Sequence, residues 1–182
     1  MKRLLTFTLL AAFVSFAVGV QAQGSPNDTP EQRLHRASLP ATTTVTTNKG
    51  VTITIDYSQP VLKGRTIGKD VEPMAGKVWR TGANEATAFT IDKDVTIEGQ
   101  KLPAGKYGLY TLVGSDGTWT IIFNKTWKTW GAFSYKDADD VLRVKVKPGT
   151  SSSSMEHFTI NADKSGKVSL LWGKTDVDFH VK

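Results

Sequence analysis

The chain contains no cysteine. That excludes a thiol nucleophile, a disulfide framework and the lipid-bearing cysteine that a lipoprotein carries just after its leader. Histidine is nearly as scarce, with only His35, His157 and His180. Motif chemistry is missing too. There is no Gly-x-Ser-x-Gly, no His-Glu-x-x-His, no phosphate-binding loop and no dinucleotide fingerprint, so no cofactor is expected. No repeat recurs at a fixed period, which argues against a propeller or solenoid. The formal charge is +6, and loss of Lys2 and Arg3 with a leader would leave +4. That excess is too small to suggest nucleic acid.

The first segment is what such a chain does have. MKRLLTFTLLAAFVSFAVGVQAQ places Lys2 and Arg3 before an apolar run from Leu4 to Val20, followed by small residues at Val20 and Ala22. This is the pattern of a signal peptide cleaved after Ala22. The run is somewhat short for a bilayer span of about 20 residues. The expectation is an exported protein beginning at Gln23, with no membrane span after cleavage and a periplasmic or extracellular location. Without disulfides, its stability must come from its core.

The remaining chain divides into a linker with a short helix, residues 23–40, and a β-rich domain, 41–182. Thr29-Pro30-Glu31-Gln32 is a capping-box sequence opening a helix through about Ala37. Beyond Pro40 a period of two takes over. In VTITIDY, Val51, Ile53, Ile55 and Tyr57 share one face. In VLRVKVK, Leu142, Val144 and Val146 are expected inside and Arg143, Lys145 and Lys147 outside. Turns are marked at Asp92–Asp94, Glu98–Gln100, Pro103–Gly105 and Ser115–Gly117. Three more strands are read at 155–160, 168–172 and 177–181, with the serine run of 148–154 as a loop. Many short strands and almost no helical periodicity indicate an all-β fold, an antiparallel β-sandwich of jelly-roll or immunoglobulin-like type. A closed β-barrel is the alternative.

Two stretches break the alternation, 60–85 and 125–140. Long irregular loops in compact domains are often functional. The first ends in GKVWRTGANEAT, which has two readings. As a structural corner, Trp79 is buried, Gly82 and Asn84 supply turn conformations, and Arg80 pairs with Glu85. As a ligand site, Arg80 offers its planar fork to a carboxylate. The second stretch, NKTWKTWGAFSYK, interleaves Trp127, Trp130, Phe133 and Tyr135 with lysines. It is either a stacking platform for a sugar ring or a plug at the sandwich end, with Trp130 the better plug. Four carboxylates, Asp56, Glu85, Asp139 and Asp140, are considered for glycoside hydrolysis, but spacing selects no pair. His157 and His180 could meet around a metal if their strands pair; solvent-facing positions are the expectation, with no metal.

The ordered segments DYSQPVLKGR, GKVWRTGANEAT, KLPAGKYGLYTLVG, TWTIIFN and WGAFSY leading into DVLRVKVKP resemble domain-of-unknown-function family 2911, a family of exported bacterial proteins. The resemblance runs from about Thr44 to the C-terminus. It implies an exported β-rich domain and supplies no catalytic residue. The preferred expectation is therefore a non-enzymatic domain binding a glycan, peptide or envelope component, with Arg80, Asn84, Glu85, Trp130 and Tyr135 at the centre of a site formed by both loops. The rivals are a hydrolase using Glu85 and Asp140, and a purely structural envelope protein.

Overall fold

The computed structural model describes residues 24–182; the expected signal peptide, 1–22, lies outside them. The capping box forms as read. Gln32 N–H donates to Thr29 Oγ1 at 3.2 Å, and Thr29 N–H donates to Gln32 Oε1 at 2.8 Å. Helix α1 nevertheless covers only Pro30–Arg33 and buries no residue. A single turn without a packed apolar face does not propagate, so the expected extension to Ala37 is absent.

Eleven strands follow: β1 Leu39–Thr46, β2 Thr52–Gln59, β3 Val78–Trp79, β4 Thr87–Ile91, β5 Val95–Ile97, β6 Gln100–Leu102, β7 Gly105–Val113, β8 Trp119–Asn124, β9 Asp140–Val146, β10 Gly149–Ala162 and β11 Lys167–His180. One antiparallel sheet runs β1-β2-β4-β7-β8-β9, with β3 also paired to β7. It is open, with β1 and β9 at its edges, so the barrel alternative fails. The β10–β11 hairpin forms the opposite layer. The β5–β6 hairpin extends that layer through an Ile97–Val181 bridge and reciprocal bonds between Thr96 and Lys182. The fold is an all-β sandwich.

The core lies between the layers. Ile55, Phe89, Leu109 and Phe123 come from the large sheet, and Phe158, Leu170 and Phe179 from the other. Phe89, Phe123 and Phe179 meet with ring centroids 5.1–6.2 Å apart, in the edge and tilted geometries that aromatic pairs favour. Tyr57 ties the layers with its hydroxyl, which accepts from Ile160 N–H at 3.1 Å. On β9 the expected faces hold. Leu142 and Val144 are buried, Val146 near the strand end is half-buried, and Arg143, Lys145 and Lys147 are exposed.

Two local expectations are corrected. The serine run of 148–154 is not a loop but the start of β10, which is solvated there on both faces and so shows no alternation. The strands read at 168–172 and 177–181 are one strand, β11, which carries a positive φ of 56° at Gly173. His157 and His180 do lie on paired strands but do not meet. His180 is past the last β10–β11 pair, Gly149–Asp176, and its Nδ1 instead lies 3.0 Å from Glu98 Oε1.

Candidate functional site

Trp79 anchors the turn it begins. Its indole is buried, stacks on Trp172 at 5.7 Å and 14°, and meets Phe158 at 5.0 Å. Its Nε1 donates to Gly82 O at 3.0 Å. Gly82 has no space for a side chain, since a Cβ there would lie 3.0 Å from Ser58 O and from Thr87 Oγ1. Asn84 has φ 60°, a left-handed conformation that asparagine tolerates.

This rigid corner holds two other segments. Gly131 N–H donates to Asn84 O, Ala86 N–H donates to Thr129 O, and Glu85 bridges to Trp130. The turn and the 125–135 loop are therefore adjacent, as expected. On the other side, Asn84 Nδ2 donates to Ser38 O at 3.0 Å, which fastens the N-terminal strap, residues 24–38.

The expected Arg80–Glu85 ion pair does not form. Glu85 is taken by the strap: Arg36 Nη1 donates to Glu85 Oε2 at 2.8 Å, and Arg33 Nη2 lies 3.6 Å from Glu85 Oε1. Arg36, 4% exposed, also donates through Nε to Asp28 Oδ2 at 2.8 Å and through Nη2 to Ser25 O at 2.7 Å. Its guanidinium lies 5.5 Å from the Trp130 ring centroid. Arg80 Nε is buried without a hydrogen bond among the described residues. Burial lowers the Arg80 pKa, while the charge of Glu72 partly opposes that shift. Sequence proximity suggested the wrong arginine because the turn directs Glu85 toward the strap. A double-mutant cycle of Arg80→Ala and Glu85→Ala is expected to give a coupling energy within about 0.5 kcal/mol of zero; a coupling of 1 kcal/mol or more in denaturant melts would restore the internal pair.

A groove of about 560 Å³ opens between the strap and the 125–130 loop, on the face of the large sheet turned away from the core. Its position follows from one row of outward residues, Thr42, Asp56, Ala88 and Gly108, aligned across β1, β2, β4 and β7. The two small residues let the loop come down onto the sheet. A Cβ on Gly108 would lie 2.8 Å from Thr126 O and 3.3 Å from Trp127 Cα. Gly108→Ala is thus expected to push the Trp127 segment off the sheet at a cost of about 1–3 kcal/mol. A thermal melt like the parent's, with unchanged tryptophan emission, would contradict this.

Trp127 and Trp130 form one wall of the groove, Arg33 and Arg36 contribute to the other, and Asp56, Ser58 and Ala88 lie below. Lys106 Nζ sits 4.3 Å from the Trp127 ring centroid and 3.6 Å from Asp56 Oδ2. Asp56 Oδ1 also accepts from Thr42 Oγ1 at 2.9 Å.

Tyr135 does not line the groove. Its hydroxyl donates to Asp140 Oδ2 at 2.7 Å and accepts from Arg143 Nη2 at 2.7 Å, while Asn124 Nδ2 donates to Asp140 Oδ1 at 2.7 Å. With Tyr110 at 4.9 Å, this network fastens the far end of the loop to the sheet. Burial, reinforced by Asp140, pushes the Tyr135 hydroxyl well above the ordinary tyrosine range, and burial also raises Tyr107 and Tyr110. Phenols with raised folded pKa values contribute stability that is intact below the unfolded value of about 10 and is lost as pH climbs through the folded values. Phenolate absorbance from these three is therefore expected only above the ordinary tyrosine range or together with unfolding, with Tyr135 the last to ionise. Reversible ionisation of all three near pH 10 in the folded protein would contradict their placement.

Of the five expected site residues, Glu85 and Trp130 line the groove. Asn84 braces it from behind, and Arg80 and Tyr135 stand outside. Asp140 is also outside, so Glu85 and Asp140 do not share a cavity; Asp56 and Glu85 do. The two long stretches do not form the site as wholes. Residues near 61–62 lie against β10, through Val61–His157 and Leu62 N–H to Glu156 O, and only the end of that stretch reaches the second loop. The strap arginines and Lys106 were missed, and Lys128 was seen only among the lysines interleaved with the aromatic segment. Trp127 was seen as part of the aromatic segment but not placed at the centre.

Comparison with curated proteins and with solved structures returns no match. A family model does match, over residues 39–181, so the groove floor and aromatic wall fall inside the matched region and the strap precedes it. The chain belongs to the family described as "Protein of unknown function (DUF2911)".

Proposed function

We propose that this is an exported, non-enzymatic module that binds a glycan in the groove between the strap and the 125–130 loop. The observation that carries this reading is the pair Trp127 and Trp130 beside a floor of short polar and small side chains. Pyranose rings present an apolar face and a rim of hydroxyls. Aromatic rings take the first, and fixed carboxylates and hydroxyls take the second. The groove volume is also in the range of small-ligand sites. Export is supported by the leader pattern at 1–22, which suggests an envelope glycan.

The test is calorimetric titration of neutral and charged oligosaccharides into the mature chain. Trp127, 36% exposed, can be truncated with little effect on folding. Trp127→Ala is expected to weaken binding about tenfold, near the upper range for an aromatic contact, with the melting temperature unchanged. Undiminished affinity in that variant would remove the groove from consideration.

A further inference from the structure

We infer that the groove selects an acidic saccharide, one bearing a uronic-type carboxylate, through Lys128 and Lys106. This inference rests on the glycan reading and narrows it. The argument is a charge inventory of the lining. Four cations face the groove, Arg33, Arg36, Lys106 and Lys128, against two carboxylates, Asp56 and Glu85. Glu85 is already engaged by Arg36 at 2.8 Å, with Arg33 at 3.6 Å. Arg36 has a second carboxylate in Asp28 and a carbonyl at Ser25, so each of its three nitrogens is engaged. Asp56 is held by Thr42 and approached by Lys106.

Arg33 adds a bond from Nε to Asp28 O at 3.3 Å to its Glu85 contact, which leaves Lys106 and Lys128 the least engaged of the four. Lys128 forms no ion pair among the described residues, where the salt bridges are those of Arg33, Arg36, Lys106, Arg143, Lys167 and His180. Lys106 has one long contact to Asp56 and otherwise lies over the Trp127 ring. An ammonium has three donors and needs no fixed fork geometry. Lysines therefore suit a carboxylate carried on a ring that slides against indole. A sugar packed on Trp127 or Trp130 would bring an equatorial carboxylate toward this unneutralised edge, whereas a neutral sugar would leave it hydrated and without a partner.

The experiment uses a trigalacturonate and its carboxyl-reduced neutral counterpart, titrated into the mature protein and into Lys128→Gln. Lys128 is exposed, so its replacement leaves the fold intact. The acid is expected to bind at least fivefold more tightly than the neutral sugar at low salt, an effect typical of one exposed ion pair near the top of its range. The preference should shrink as ionic strength rises, and Lys128→Gln should lower acid affinity toward the neutral value without changing the latter. Equal binding of both sugars overturns the acidic selectivity and leaves the glycan reading standing. Binding of neither overturns the glycan reading and this inference with it. A preference for the acid that survives in both Lys128→Gln and Lys106→Gln overturns the assignment of the two lysines.

Discussion

Val144→Asp is expected to be severely destabilising and to melt far below the parent. Val144 is 1% exposed, pairs with Ile121 on β8 and faces the core between the layers. An aspartate there would be an unpaired charge among apolar side chains. The cost is expected to exceed about 4 kcal/mol, out of a typical total of 5–15 for a domain. Its neighbour Lys145 points to solvent, so Lys145→Asp should change stability by about 0.5 kcal/mol or less. The contrast is the sharp part, because a one-residue shift in register exchanges the two outcomes. Circular dichroism melts of both variants decide it. A Val144→Asp melt within a few degrees of the parent would reverse the face assignment of β9.

Arg36→Ala is the second large effect. The side chain is 2% exposed and joins three pieces: Asp28 and Ser25 in the strap, Glu85 in the corner and Trp130 in the loop. Removing it leaves Asp28 without its cation and Glu85 with only Arg33 at 3.6 Å, beside a cavity. Breaking a buried pair in this way costs about 3–5 kcal/mol, and the partial exposure of Asp28 and Glu85 places the value at the lower end. The strap makes few other anchoring contacts, so it should detach before the sandwich melts. Limited proteolysis is expected to cut Arg36→Ala within residues 24–36 while 39–181 survives. A strap as resistant as the parent's would show that Arg36 does not hold it.

Much of the sandwich could be read from the sequence because burial on one side imprints a period of two. β2 and β9 carry that signal clearly. It fails where both faces have the same environment, as in the solvated start of β10 at Ser151–Ser154. It also fails to separate one long strand from two when a glycine interrupts it, as at Gly173 in β11. The site was half legible. Tryptophans in a segment without alternation were a usable signal, and so was the turn chemistry of Gly82 and Asn84. The strap was not legible. Arg36 follows a polar helical turn, and nothing in local periodicity distinguishes a buried arginine from a solvated one. Its partner lies 49 residues away at Glu85. The depression under the groove depends on Ala88 and Gly108 standing side by side on β4 and β7, a register between strands that no local pattern encodes.

The most direct measurement is the set of indole N–H resonances in a proton–nitrogen NMR spectrum, recorded while trigalacturonate is added to the chain from residue 23 onward. The chain has five tryptophans, and their positions report on different parts of the molecule. Trp127 and Trp130 wall the groove, whereas Trp79, Trp119 and Trp172 belong to the core. Binding in the groove predicts that the Trp127 and Trp130 signals shift with added sugar while the three core signals stay in place. Saturating shifts confined to other residues, with Trp127 and Trp130 unmoved, would contradict it.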